Sequence, residues 1–170
     1  MACRIRFTLY FLFIINLSSC SQNKAILKEQ KIPVFVNSDK EHRAYFASGC
    51  FWCVEAIYES IVGINNVVSG YSGGNIPNPT YEIVNTKITD HAETIEVSYD
   101  PEKISFSNLV DIYFASQEIE QINGQGPDNG PQYRSIIFYQ TKAQKDLIDE
   151  KIENLEKNKN LKVAAEVSPF

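Results

Sequence analysis

The chain lacks most features that mark proteins acting on nucleic acids, nucleotides or metal ions. Its 170 residues include 16 Lys and Arg against 21 Asp and Glu, and no basic run follows Lys31, which argues against nucleic acid as a partner. The 2 His and 4 Cys, with a single C-x-x-C spacing, do not complete a four-ligand zinc site. No glycine-rich loop leads into a helix with a lysine, which excludes a phosphate-binding loop of that kind.

Long hydrophobic runs and internal repeats are also missing. The longest apolar stretch, residues 7–17, is interrupted by Thr8 and Asn16 and is shorter than the roughly 20 residues that cross a bilayer. The absence of repeats excludes a solenoid or repeat array. Apolar residues still make up 44% of the chain, which is enough for a hydrophobic core in one domain. We expect that domain to be monomeric.

The first residues have the pattern of an export signal. Arg4 and Arg6 precede the apolar stretch, and a basic start followed by an apolar core is typical of secretory signals. The segment 17–20 (LSSC) then resembles the lipobox of bacterial lipoproteins, in which the cysteine, here Cys20, is lipidated and becomes the new N-terminus. The alternative is an ordinary signal peptide cleaved near Ser19. In both cases the mature protein is exported.

These patterns divide the chain into three parts. Residues 1–19 are predicted to be a signal peptide of the lipoprotein type, residues 20–40 a polar lipidated tether, and residues 41–170 the catalytic domain. The protein would then be anchored in a membrane by its lipid and face the periplasm or the cell exterior. Export also places the two remaining cysteines, Cys50 and Cys53, in an oxidising compartment.

Those two cysteines lie in the most informative segment, residues 49–55 (GCFWCVE). A short apolar run precedes it and apolar side chains near helical spacing follow, which predicts a strand, a glycine turn and a helix with Cys50 in its first turn. Unpaired backbone N–H groups and the helix dipole favour a thiolate there. Since Cys53 lies one turn further on, the pair is typical of a redox site: one thiol is oxidised and the other closes a disulfide.

Periodicity and turn residues predict alternating strands and helices. The predicted strands cover 44–47, 91–99, 135–139 and 161–167, with another that opens at Val67; the predicted helices cover 51–60, 106–116 and 142–158, with a short one from an Asn78 cap and Pro79 to Asn85. This order predicts an α+β fold: a mixed-sheet, two-layer sandwich with helices packed on the sheet and ferredoxin-like, split β-α-β character. The strand order is not readable from the sequence.

Glu93 is the second candidate for chemistry. It shares one face of its predicted strand with Ile95, Val97 and Tyr99, and if that face meets the core, burial raises the pKa of the carboxyl. A carboxyl that stays protonated near neutral pH can act as a general acid. The alternative is a solvent-facing glutamate, but the polar opposite face favours the inward orientation. We expect His91, on the same face, to be a hydrogen-bonded structural residue.

A long loop and two aromatic residues complete the candidate site. The loop at 117–134 has little predicted structure of its own and is rich in hydrogen-bonding groups, which favours a site wall over a plain surface connection. Phe51 and Trp52 flank the first thiol. Core packing is the simpler interpretation for Phe51, whereas Trp52 is a better candidate for an apolar pocket wall.

Five segments together resemble the A-type peptide methionine sulfoxide reductases. They are residues 49–55 (GCFWCVE), 70–74 (GYSGG), 78–81 (NPTY), 91–93 (HAE) and 125–135 (QGPDNGPQYRS). They occur in the order and spacing of the family and cover residues 43–139 almost continuously. The resemblance implies an enzyme that reduces methionine sulfoxide, in peptides and proteins and as the free amino acid, to methionine, with no metal and no organic cofactor.

The resemblance also implies how the sulfoxide is held and attacked. Cys50 would attack the sulfur while Glu93 protonates the oxygen, and Tyr71 and Tyr133 would hold that oxygen by hydrogen bonds. Asp128 matches a family aspartate that helps to orient the site.

The remaining implied roles concern selectivity and recycling. Phe51 and Trp52 would enclose the S-methyl group of the substrate, which selects the S epimer by shape. Cys50 would become a sulfenic acid and condense with Cys53, and a thioredoxin-like donor would reduce the disulfide.

The chain departs from the family pattern in places. Many members carry resolving cysteines in a C-terminal tail and continue with a segment containing a Tyr-His pair, whereas no cysteine follows Cys53 here. We therefore expect Cys53 to be the resolving cysteine, and we also suspect a C-terminal truncation. The segment 117–121 (QEIEQ) replaces a stretch of the His-Asp-Pro type, and Asp90 stands where glycine is common.

Two other functions are open at this point. A thioredoxin-like oxidoreductase would also place C-x-x-C at a helix start, but it gives Glu93 and the tyrosines no role. A lipoprotein binding module, or a degenerate reductase, would hold a peptide with a structural Cys50–Cys53 disulfide and turn nothing over.

Overall fold

The structure, a computed structural model, describes residues 42–170. The predictions of a signal peptide at 1–19 and of Cys20 lipidation and a tether at 20–40 fall outside the described residues. The elements are, in chain order, β1 (His42–Ala47), α1 (Phe51–Glu59), β2 (Ile64–Ser72), α2 (Tyr81–Asn85), β3 (Ala92–Tyr99), α3 (Phe106–Ala115), β4 (Gly124–Gln125), β5 (Asp128–Asn129), a 3₁₀ turn (Pro131–Tyr133), β6 (Ile136–Tyr139), α4 (Lys142–Lys159) and β7 (Glu166–Pro169).

The main sheet has five strands in the order β2-β3-β1-β6-β7. Strand β1 is antiparallel to both β3 and β6, β2 is antiparallel to β3, and β7 is parallel to β6. Strands β1 and β2 therefore run parallel with β3 between them, which is the predicted split β-α-β unit, and β3-α3-β6 forms a second unit split by β1. The mixed sheet with packed helices confirms the predicted α+β class.

The hydrophobic core lies between this sheet and helices α1, α3 and α4. Alternation along the strands places Phe46, Ile95 and Val97 against Tyr58 of α1 and Tyr113 of α3, all at 0% exposure. A smaller cluster on the opposite face contains Tyr45, Ala47, Ala92, Ile136 and Phe138. Strand β3 is therefore buried on both faces, so its side chains are packed against a hydrophobic cluster on either side of the sheet.

Two element boundaries differ from the prediction. Thr80, and not Asn78, caps α2: its hydroxyl accepts a hydrogen bond from Ile83 N at 3.4 Å, and Asn78 lies in the left-handed region with φ of 50°. The last strand, predicted at 161–167, is Glu166–Pro169, because pairing with β6 begins only at Glu166. Within residues 42–170, no helix combines the length and apolar character that a membrane span requires.

Candidate active site

Cys50 lies in the turn between β1 and α1 and is the N-cap residue of α1. Its carbonyl oxygen accepts hydrogen bonds from Cys53 N at 3.0 Å and Val54 N at 3.2 Å. Gly49 has φ of +77°, and a Cβ there would lie 2.6 Å from the Cβ of Gln125, so the turn requires glycine on both counts. The predicted strand, glycine turn and helix are therefore found.

Cys53 lies in the first turn of α1, and both thiols are free. Cys53 is exposed and Cys50 partly exposed. Negative charge on Cys50 and a hydrogen bond with it raise the pKa of Cys53, with smaller contributions in the same direction from burial, Asp128 and Glu93. A thiolate at Cys50 therefore leaves Cys53 protonated, which suits one nucleophile and one thiol that reacts later.

Glu93 projects from β3 toward the start of α1. It is 3% exposed, and its Oε2 accepts a hydrogen bond from Phe51 N at 3.0 Å. Burial raises the pKa of the Glu93 carboxyl, the Phe51 N–H group lowers it and the charge of Asp128 raises it, with a net increase. The inward orientation predicted from the strand pattern is therefore found, and a buried carboxyl with a raised pKa lies beside the Cys50 turn.

Phe51 and Trp52 form an aromatic wall with Tyr71. The Phe51 ring is buried, and its centroid lies 5.3 Å from that of Trp52 and 5.6 Å from that of Tyr71. Trp52 is 61% exposed. Tyr71 pairs with Glu93 across β2 and β3, and burial, followed by the charge of Glu93, raises the pKa of Tyr71 to about 12. Its hydroxyl therefore remains a hydrogen-bond donor at neutral pH.

Tyr81 extends this wall, and the sequence analysis did not single it out. Its ring stacks on Trp52 with a centroid distance of 5.9 Å and an interplanar angle of 21°. It also interacts electrostatically with Tyr71 and Tyr133, which places it at the same opening. The one sequence signal for Tyr81 is its position within segment 78–81, which resembles the family but gives this side chain no role of its own.

Tyr133 and Asp128 approach from the loop at 117–134. The carbonyl oxygen of Tyr133 accepts a hydrogen bond from Gly49 N at 3.2 Å, and burial, then the charge of Glu93, raises the pKa of its phenol. Asp128 lines a cavity of about 530 Å³ together with Cys50 and Cys53. The loop, which also forms the β4–β5 hairpin, is therefore a wall of the site, as predicted.

His91 has a structural position, as expected. Its Nε2 lies 2.8 Å from the carbonyl oxygen of Ile76, and a Cβ on Gly74 would meet its ring at 2.5 Å, so it supports the loop that leads to α2. Among residues 42–170, no three His, Cys, Asp or Glu side chains come together in a group that could hold a metal ion.

Comparison with known proteins assigns the family. The profile of the peptide methionine sulfoxide reductase family matches residues 42–170. The chain belongs to this family. Peptide methionine sulfoxide reductase MsrA of Nautilia profundicola is 46% identical over 128 residues, which are 75% of this chain and 73% of the relative.

Solved structures agree with this assignment. Mxr1 from Saccharomyces cerevisiae in reduced form is similar with a TM-score of 0.68 and 32% identity over 78% of each chain. Mxr1 in complex with Trx2 is similar with a TM-score of 0.54 and 26% identity over 78% of each chain. Membership confirms the prediction of an A-type methionine sulfoxide reductase, a thiol-dependent oxidoreductase; the roles of individual side chains stay predictions.

Proposed function

We propose that this reductase converts the S epimer of methionine sulfoxide to methionine through a Cys50 sulfenic acid and a Cys50–Cys53 disulfide. The substrate is protein-bound, and also free, methionine sulfoxide. The observation that carries this assignment is the contact between Phe51 N and the Glu93 carboxylate at 3.0 Å. It joins a buried acid with a raised pKa to the first turn of the helix that Cys50 caps.

Cys50 supplies the nucleophile and Glu93 the proton. The Cys50 thiolate attacks the sulfoxide sulfur while Glu93 donates its proton to the oxygen. Attack forms a bond between the Cys50 sulfur and the substrate sulfur. The protonated oxygen then transfers to Cys50 as this bond and the substrate S–O bond break, so that Cys50 becomes a sulfenic acid and methionine leaves. The two-electron oxidation of the Cys50 sulfur balances the two-electron reduction of the substrate sulfur.

The aromatic wall and the tyrosines orient the substrate. Phe51 and Trp52 enclose the S-methyl group, and Tyr71 and Tyr133 hold the sulfoxide oxygen with hydroxyls that the raised pKa values keep protonated. Fixing the methyl group, the oxygen and the side from which Cys50 attacks admits only one configuration at sulfur. Asp128 helps to keep the Glu93 proton in place, because its charge raises the Glu93 pKa.

Cys53 resolves the sulfenic acid. Its thiol attacks the Cys50 sulfur, the S–O bond breaks, and water leaves as the Cys50–Cys53 disulfide forms. A thioredoxin-like dithiol then reduces the disulfide by exchange and is itself oxidised. The exposure of Cys53 gives such a donor access to one sulfur, and the complex of the similar Mxr1 with Trx2 supports this class of donor.

Chemical trapping of the sulfenic acid tests the assignment. In Cys53→Ser, the S epimer is expected to give about one methionine per protein and a dimedone adduct on Cys50, since no resolving thiol removes the sulfenic acid. Cys50→Ser is expected to give neither product. Methionine formation by Cys50→Ser would exclude Cys50 as the nucleophile. Loss of the Cys50 thiol in Cys53→Ser without formation of a dimedone adduct would exclude the sulfenic acid intermediate.

Export and lipid anchoring are further parts of the proposal. They rest on Arg4 and Arg6 before the apolar stretch at 7–17 and on the segment 17–20 that ends in Cys20. The mature protein is expected to carry lipid on Cys20, which the intact mass and detergent partitioning of the full chain would show. An unlipidated mature form cleaved near Ser19 would support the ordinary signal peptide instead.

A further inference from the structure

We infer that Gln117 is a positioning residue for the proposed reaction: it fixes the turn that carries Cys50 against the segment that carries Tyr133. The inference rests on the proposed role of Cys50 as nucleophile. Gln117 lines the same cavity as Cys50 and Cys53, but its side-chain hydrogen bonds go to the residues that support the site.

The three residues before Cys50 are each held by a different part of the chain. The carbonyl oxygen of Ala47 accepts a hydrogen bond from the Tyr113 hydroxyl at 3.0 Å. The Ser48 hydroxyl donates to Gln117 Oε1 at 2.6 Å, and Gly49 N donates to the Tyr133 carbonyl at 3.2 Å. Cys50 therefore follows a turn in which each of the three residues forms a hydrogen bond with another part of the chain.

A single oxygen of Gln117 joins two of these parts. Its Oε1 also accepts a hydrogen bond from the Ser135 hydroxyl at 2.8 Å, and Ser135 comes two residues after Tyr133. Ser48 and Ser135 are 8% and 4% exposed, so little water is available to replace the glutamine as acceptor. Loss of this oxygen leaves the Ser48 and Ser135 hydroxyls without their shared acceptor. The connection between the Cys50 turn and the Tyr133 segment is then weaker, because it relies on the hydrogen bond from Gly49 N to the Tyr133 carbonyl.

Gln125 extends the hydrogen-bond network of Gln117, Ser48 and Ser135. Its Nε2 donates to the Ser135 hydroxyl and to the Glu118 carbonyl, both at 3.0 Å, and its Oε1 accepts from Glu118 N at 2.8 Å. Its Cβ occupies the space that a side chain on Gly49 would need. Gln117 and Gln125 thus both lie against the turn, and both form a hydrogen bond with the Ser135 hydroxyl.

The geometry of the reacting groups depends on this arrangement. Cys50 is the N-cap of α1 and the next backbone N–H group binds Glu93, so a shift of the turn moves the thiol relative to both the acid and Tyr133. Displacement by about 1 Å can cost about 100-fold in rate. Trp52 and Tyr81 do not belong to the network, so substrate binding by the exposed aromatic wall is expected to change little.

The test compares Gln117→Leu with Gln144→Leu in the full chain. The rate of methionine formation in a single turnover is expected to fall at least roughly 10-fold in Gln117→Leu, with half-saturation by substrate within about twofold of wild type. Gln144 accepts a hydrogen bond from Gln140 N at 2.7 Å, outside the cavity, and Gln144→Leu is expected to match wild type. A wild-type rate in folded Gln117→Leu would overturn the inference.

Two further variants separate positioning from a general structural effect. Gln117→Glu retains an acceptor oxygen and is expected to recover most of the rate at its own pH optimum; no recovery would contradict the role of that oxygen. Ser48→Ala removes only one hydroxyl, which keeps the test available if Gln117→Leu does not fold. The double variant, Ser48→Ala with Gln117→Leu, is expected to form methionine no more slowly than Gln117→Leu alone. Additive losses would show that the pair does not act as a unit.

Failure of this inference is distinguishable from failure of the proposed function. If Cys50→Ser is inactive and Gln117→Leu is as fast as wild type, the reaction assignment stands and Gln117 has no positioning role. If Cys50→Ser still forms methionine, the proposed function fails first, whatever Gln117→Leu does.

Discussion

The inner and outer halves of the site are built in different ways. The inner half, which comprises Glu93, Phe51 and the turn 48–50, is buried or nearly so and is fixed by hydrogen bonds to strands and loops. The outer half, which comprises Trp52, Tyr81 and Cys53, is exposed. In the proposed reaction, the nucleophile and the acid lie in the buried half, whereas the groups that would receive a substrate or a reductant lie at the surface.

The same comparison applies to the different roles proposed for the Cys50 and Cys53 thiols. Cys50 ends a turn that accepts one hydrogen bond from Tyr113 and donates one each to Gln117 and Tyr133, while Cys53 is exposed on α1. Negative charge on Cys50 raises the pKa of Cys53, which favours Cys50 over the exposed thiol as the nucleophile of the proposed reaction. The proposed order of the two reactions therefore agrees with the positions of the two thiols in one helix turn.

Loss of recycling is the largest expected effect in the outer half. Cys53→Ser should stop steady-state turnover driven by a thioredoxin-like donor, because Cys50 can then form no intramolecular disulfide, while the first methionine still forms at the wild-type rate. A burst of methionine measured with and without the donor checks this. Unchanged steady-state turnover would mean that Cys53 is not the resolving cysteine.

In the inner half, Glu93→Gln should slow the chemical step by roughly 10²- to 10⁴-fold, the usual contribution of general acid catalysis. The amide retains the size of the side chain and an acceptor for Phe51 N but carries no acidic proton. Single-turnover rates as a function of pH provide the measurement. The wild type is expected to lose rate at high pH as Glu93 ionises, and this fall should be missing from the variant. A variant with the same profile as the wild type would exclude Glu93 as the acid.

A smaller effect is expected where the aromatic wall meets solvent. Trp52→Ala should weaken substrate binding roughly tenfold, equivalent to about 1.4 kcal/mol of lost apolar contact, with little change in protein stability because the ring is 61% exposed. Saturation curves and thermal unfolding measure the two quantities. Trp52→Phe, which keeps an aromatic wall, is the control, and an equal loss in both variants would argue against a simple apolar contact.

The smallest effect concerns stability and pH. Because the folded state holds the Glu93 proton more tightly than the unfolded state does, ionisation of this carboxyl opposes folding. The free energy of unfolding should therefore decline as pH rises from the ordinary glutamate range to above the raised Glu93 pKa. Glu93→Gln should remove this part of the decline in denaturant titrations. A steeper decline in the variant would contradict the assignment of Glu93 as a buried acid.

The sequence predicted the strands and helices well where periodicity and burial coincide. The alternation around Glu93 and the apolar stripe of α3 were readable because one face of each meets the core. The start of α2 and the position of β7 were not, since they depend on the Thr80 cap and on pairing with β6. In both places neighbouring residues are similarly suitable as the start of the element, and tertiary contacts determine which of them begins it.

The candidate site was predictable where chemistry has a local signal. Cys50 and Cys53 share a motif, and Glu93 stands out as a carboxyl in a buried strand. Tyr81 and Gln117 have no such signal, because their roles come from stacking on Trp52 and from hydrogen bonds to Ser48 and Ser135, which lie 69 and 18 residues away along the chain. Only the folded arrangement brings these groups together.

The most direct test of the account is a single-turnover experiment with both epimers. Reduced protein is mixed with a peptide that contains either S- or R-methionine sulfoxide, without a reductant, and the methionine formed and the thiols lost are counted. The account predicts about one methionine per protein from the S epimer only, with loss of both Cys50 and Cys53 thiols. Methionine from the R epimer, or none from either epimer in a folded sample, would contradict it.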